Sequence, residues 1–101
     1  MSENLLNLVN TIRDRKNKNE EKSYTSSLLS GGLSKCIDKL EEEFGELKEA
    51  LNEKSNIVHE TADTIYHILV TLEAADIKFE DVLKELENRK KQSGIEEKNN
   101  R

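Results

Sequence analysis

What this chain lacks narrows it first. There is no proline in its 101 residues, so the sharpest helix stops are missing. A single cysteine, Cys36, excludes an intrachain disulfide and fits a reducing compartment. No apolar run approaches the roughly 20 residues that span a bilayer, and no signal peptide is visible; a cytoplasmic protein without a membrane partner is expected. β-Branched and aromatic residues never alternate with polar ones for long, so strand signals are absent and an all-α fold follows. Cations are outnumbered, 16 Lys and Arg against 21 Asp and Glu, for a net charge of −5. That balance excludes a general nucleic-acid binder, which would carry a basic stripe. Apolar residues are also scarce, 34% against 37% charged. A single small domain over residues 1–101 is therefore thinly cored alone, and the expectation is a bundle of about four to five helices completed by dimerisation.

What is present has helical period. Leu5, Leu8, Val9 and Ile12 predict a first helix over about residues 4–15. Residues 17–22 are polar without periodicity and read as a loop. Ser23 or Thr25 is a plausible N-cap for a segment that Gly31-Gly32 then breaks. From about Ser34 to Leu51, the stripe Ile37, Leu40, Phe44, Leu47 and Leu51 spans an arc of about 80° and predicts a packed seam. A third long helix, from about Ile57 to Ala75, places Ile57, Ile65, Ile68, Leu69 and Leu72 on one broad side. After a turn at 76–79, a last helix over about 80–91 gathers Val82, Leu83 and Leu86. Arg89, Lys90 and Lys91 end it, where cations complement the helix dipole. The polar tail 92–101 is expected to be mobile until a ligand or partner orders it.

The two long helices carry the chemistry. Glu43 and Glu46 form an E-x-x-E pair beside the seam, and Glu60 and Asp63 form an E-x-x-D pair. Residues three apart share a helix face, so antiparallel packing brings both pairs to one point. Like charges ~4 Å apart repel by ~4 kcal/mol at an effective dielectric of ~20 unless a cation or proton intervenes. All-oxygen donors suit a hard cation, Mg²⁺ or Mn²⁺. The bland reading of the first pair is a solvated glutamate-rich face. The second pair weighs against it, because Glu60, Asp63, Tyr66 and His67 interrupt the most apolar segment of the chain. Glu60, Asp63 and His67 lie within an arc of about 60°. His67 is either a packed, hydrogen-bonded ring or a group that touches the carboxylates or a substrate. Glu42 points nearly opposite the stripe, and His59 reads as no more than a polar residue at a helix start.

In this order the motifs resemble the phosphoribosyl-ATP pyrophosphohydrolase family, of the all-α, MazG-like nucleotide pyrophosphohydrolases. Ser23-Tyr24-Thr25, Gly32, Lys35 and Lys39 match its SYT…G…K…K pattern. Glu42-Glu43-x-x-Glu46 matches its acidic motif, Glu60-x-x-Asp63-x-x-Tyr66-His67 its second acidic stretch, and Ser93-Gly94-Ile95-Glu96-Glu97-Lys98 its tail. The resemblance implies hydrolysis of the α–β phosphate bond of phosphoribosyl-ATP to phosphoribosyl-AMP and pyrophosphate, the second step of histidine biosynthesis. It implies Mg²⁺, with Mn²⁺ as substitute, held by Glu43, Glu46, Glu60 and Asp63. Glu42 and Glu43 become the catalytic candidates, Glu42 as general base or ligand of a second ion. Lys35, Lys39, Tyr66, His67, Arg89 and Lys98 become substrate contacts; for the lysines the plain alternative is surface solvation. Glu41 and Phe44-Gly45 depart from the family pattern toward its MazG-like relatives. The rival readings are a housekeeping nucleoside triphosphate pyrophosphohydrolase and a non-catalytic helical interaction module.

Overall fold

The computed structural model describes residues 3–16 and 23–90. Within them lie five helices and no strand: α1 (Glu3–Lys16), α2 (Tyr24–Ser30), α3 (Gly32–Glu53), α4 (Ile57–Ala74) and α5 (Phe79–Lys90). The expected loop at 17–22 and the tail at 92–101 lie outside the described residues. No described helix is long and apolar enough to cross a membrane.

The α3–α4 hairpin is the frame. Thr71 Oγ1 lies 3.4 Å from Cys36 O, Thr64 Oγ1 lies 3.4 Å from Glu43 O, and Glu46 groups with Glu60. Numbers rise along α3 as they fall along α4, so the pair is antiparallel. Each threonine hydroxyl donates at 2.7 Å to its own helix four residues back, to Glu60 O and His67 O. Cys36 and Ala50 are the buried residues of α3, and Thr64 is buried on α4. Small side chains here let the two backbones approach closely.

This corrects the expected seam. Ile37, Phe44 and Leu51 are about half exposed, and Ile65 on α4 is exposed too. The face of α3 that meets α4 runs through Cys36, Glu43 and Ala50, one residue and about 100° round from Ile37, Phe44 and Leu51, while Leu40 and Leu47 between them are half-buried. Spacing marks an apolar face but not the neighbour that covers it.

The core lies where α1, α2 and one end of α3 meet α4. Val9, Ile12, Leu28, Cys36, Leu69 and Val70 form it, with Leu5, Leu8, Leu29, Tyr66, Ala74 and Phe79 packed around. Ser23 is the N-cap of α2 and accepts from Ser26 N; Thr25 has a different partner, described below. Gly32, at φ +88°, turns the chain from α2 into α3. At Gly31 the Lys35 side chain lies over the backbone, and a Cβ there would displace it.

Two helix ends are closed without glycine. Lys54 (φ 55°) ends α3 with Ser55 N donating to Ala50 O, and Asp76 (φ 60°) ends α4 with Ile77 N donating to Leu72 O. Salt bridges tie the end of α4 and the start of α5 to α1. Arg13 grips the Glu80 carboxylate with both terminal nitrogens and reaches Glu73 at 3.5 Å, while Lys16 donates to Glu73 O and pairs with Asp76.

Candidate active site

The antiparallel hairpin brings both acidic pairs together. The donor atoms of Glu43, Glu46 and Glu60 lie within 4.8 Å of one another, and so do those of His59, Glu60 and Asp63. Glu60 belongs to both groups. The side chains of Glu43 and Glu60 are 15% and 16% exposed, those of Asp63 and His59 42% and 71%. The cluster therefore has a buried floor and an open rim.

The floor is electrostatically strained. Glu43 Oε2 and Glu60 Oε2 are buried and have no hydrogen-bond partner among the described residues. Burial, joined by repulsion from Glu46, Asp63 and Glu60, pushes the Glu43 carboxyl above its usual range. Burial and the adjacent Glu46 push Glu60 upward in the same way. Orphaned carboxylate oxygens on facing helices cost free energy unless a proton or cation answers them. An oxygen-rich donor set with such orphans fits a hard divalent cation.

Beside the acids stands an aromatic wall that joins sequence-distant motifs. Tyr24 stacks on Tyr66 with ring centroids 6.3 Å apart, and both meet the His67 ring edge-on, at 5.9 and 5.2 Å. Thr25 Oγ1 and the Tyr66 hydroxyl are hydrogen-bonded. His67 is buried, its Nε2 3.8 Å from Glu43 Oε1, beyond hydrogen-bond length. Burial pushes its pKa below the usual imidazole range, at the edge of the acids.

The remaining candidates divide. Lys39 pairs with Glu42 at 3.1 Å, and that contact raises its pKa. Lys35, Asp38, Lys39, Glu41 and Glu42 line an open cavity of about 380 Å³ on α3. Glu42 belongs to neither donor group, although its charge is felt at His67 and Tyr24. Arg89 pairs with Glu85 one turn back on α5, and Lys98 lies outside the described residues. Sequence reasoning passed over His59, whose Nε2 lies 3.2 Å from Asp63 Oδ2. The available signal was its i,i+4 spacing to an acid already singled out. It also left Tyr24 and Thr25 outside the site, since nothing local shows their pairing with a residue about 40 positions on.

Fold and cluster together define an all-α protein with a carboxylate centre between two antiparallel helices, walled by aromatic rings. The sequence pattern of the phosphoribosyl-ATP pyrophosphohydrolase family matches residues 5–90, and the chain belongs to that family. It is 40% identical over 99 residues to a phosphoribosyl-ATP pyrophosphatase of Rhizobium etli, covering 96% of this chain and 92% of the relative. To the phosphoribosyl-ATP pyrophosphatase of Roseobacter denitrificans it is 43% identical over 96 residues, 93% of this chain and 91% of the other. A Helicobacter hepaticus histidine biosynthesis bifunctional protein, HisIE, is 48% identical over 96 residues, 93% of this chain but 42% of that protein.

Proposed function

We propose that this protein hydrolyses the α–β phosphate bond of phosphoribosyl-ATP, releasing phosphoribosyl-AMP and pyrophosphate in histidine biosynthesis, and does so with Mg²⁺. The observation that carries the metal reading is the pair of buried, unpartnered oxygens, Glu43 Oε2 and Glu60 Oε2, on facing helices. Family membership supplies the substrate.

Glu43, Glu46, Glu60 and Asp63 hold the ion, with Mn²⁺ as a substitute. An ion held there would neutralise triphosphate charge and help position an attacking water. The chain's own groups do the rest. Lys35 and Lys39, one turn apart beside the open cavity, pair with phosphate oxygens. Glu42, exposed next to Lys39, is the candidate base for the attacking water. Tyr66 and His67, braced by Tyr24 and Thr25, form an aromatic wall beside the acids that lies against the substrate. Arg89 and Lys98 complete the cationic contacts.

One all-α domain acts as a homodimer in the cytoplasm on this reading. The half-exposed Ile37, Phe44 and Leu51, seven residues apart on α3, with Val58 and Ile65 on α4, support a second copy as their cover. The functional test is pyrophosphate release from phosphoribosyl-ATP. Release that stops with a chelator, returns with Mg²⁺ and is lost in Asp63→Asn is expected. Turnover indifferent to the chelator would refute the metal reading.

A further inference from the structure

We propose that Tyr24 is a specificity-determining residue, its exposed ring receiving the N1-substituted adenine of phosphoribosyl-ATP in preference to the plain adenine of ATP. This rests on the activity proposed above and assigns to one side chain the task of telling the two nucleotides apart. Tyr24 is 55% exposed, although it begins a helix whose Ser26 and Leu28 are buried. Its position is fixed from behind. The Tyr66 ring lies 6.3 Å away at an interplanar angle of 19°, and the His67 ring meets it edge-on at 5.9 Å. On either side along the chain, Ser23 caps the helix and Thr25 is hydrogen-bonded to the Tyr66 hydroxyl. A ring braced in this way loses little freedom on binding, so its open surface is a ready stacking platform. The charges of Lys39, Glu43 and Glu42 reach its hydroxyl, and Lys39 and Glu42 line the open cavity on α3. The platform therefore adjoins both the carboxylate centre and the lysines assigned to the phosphates. The two nucleotides differ in what they lay on it. Phosphoribosyl-ATP carries a ribose on adenine N1, and a carbon substituent there makes the base stronger, so the ring is protonated at neutral pH. The adenine of ATP is neutral. A cationic ring is drawn to the π face of tyrosine, whereas a neutral one gains stacking alone.

1-Methyl-ATP carries the charged ring without the second phosphoribose and so isolates this effect. ATP and 1-methyl-ATP are tested as competitive inhibitors of phosphoribosyl-ATP hydrolysis by the full chain and by Tyr24→Phe, Tyr24→Trp and Tyr24→Leu. Wild type prefers 1-methyl-ATP, and Tyr24→Leu shrinks that preference about two- to fivefold, the span of an exposed cation–π contact. Tyr24→Phe keeps it and Tyr24→Trp enlarges it, because tryptophan presents the stronger π face. A leucine variant that weakens both inhibitors alike, leaving their ratio unchanged, has lost only structure and overturns the proposal. So does a leucine variant that changes mass in light scattering and keeps the ratio, since a second copy then covers the ring. Where the leucine variant does not fold, tryptophan against phenylalanine decides: a larger preference in Tyr24→Trp supports the assignment and an equal one overturns it. Wild-type turnover with no preference between the inhibitors refutes only the role of Tyr24; no pyrophosphate from phosphoribosyl-ATP refutes the activity itself.

Discussion

Glu43 on α3 and Glu60 on α4 each bury a carboxylate oxygen that nothing among the described residues satisfies, and they do so within one donor group. The folded protein is thereby less stable without a cation than its packing allows. Burial raises the Glu43 pKa above 4.5, so the folded state holds more protons than the unfolded chain just above that pH. Stability of the metal-free protein is then lost as pH rises from 4.5 through the raised value. Glu43→Gln should stabilise the metal-free protein at pH 7 by on the order of 1 kcal/mol, the gain fading toward pH 4.5. The same variant should lose the rise in Tm that Mg²⁺ or Mn²⁺ gives wild type. Thermal melts at pH 7 and 5, with and without metal, check this; a destabilised variant that keeps the metal shift would contradict it.

The Arg13–Glu80 pair has the opposite pH sign. Hydrogen bonding to Arg13 lowers the Glu80 carboxyl from 4.5 to about 2. Its contribution is present above pH 4.5 and is lost as pH falls toward 2. The pair is solvent-exposed, so salt weakens it. Glu80→Gln should melt below wild type at pH 7 in low salt, with the gap closing between pH 4.5 and 2 and narrowing at high salt. Coincident melts at pH 7 would show that the pair holds nothing together.

Lys54 sits in the left-handed region at the end of α3. A side chain there costs about 1–2 kcal/mol relative to glycine, part of which glycine gives back as chain entropy. Lys54→Gly should therefore raise stability by up to about 1 kcal/mol, measured by denaturant unfolding. A loss would mean the lysine side chain does something at this turn that its contacts do not explain.

Phe44 is half exposed at the middle of the α3 stripe. If a second copy covers that stripe, Phe44→Glu should convert a dimer into an 11.6 kDa monomer in light scattering. Because the side chain is not in the monomer core, the variant should keep its helical circular dichroism. A wild type that is monomeric at micromolar concentration would contradict the dimer.

Helices and acidic pairs were legible because both depend on spacing. Glu43 with Glu46, and Glu60 with Asp63, share a face on any α-helix, and an antiparallel hairpin must bring them together. The inward face of α3 was not legible. Cys36 and Ala50 carry little hydrophobic signal, yet their small size admits α4, while the stronger stripe at Ile37, Phe44 and Leu51 faces outward. The aromatic wall was hidden for another reason. Tyr24 and Thr25 meet Tyr66 only after α2 has packed on α4, a contact no local pattern encodes. His59 was passed over as a helix-start residue, although its partner Asp63 lies one turn away.

Substrate choice is the central claim. Carboxylates that hold a cation serve any triphosphate, so selectivity must come from groups that touch what phosphoribosyl-ATP alone carries. Kinetic comparison of phosphoribosyl-ATP with ATP on the same Mg²⁺-loaded protein, reading pyrophosphate, measures this directly. One or two charge-assisted contacts at ~1.5–3 kcal/mol each predict a kcat/KM at least ~100-fold higher for phosphoribosyl-ATP. Equal kcat/KM on the two substrates would contradict it and favour a housekeeping nucleoside triphosphate pyrophosphohydrolase.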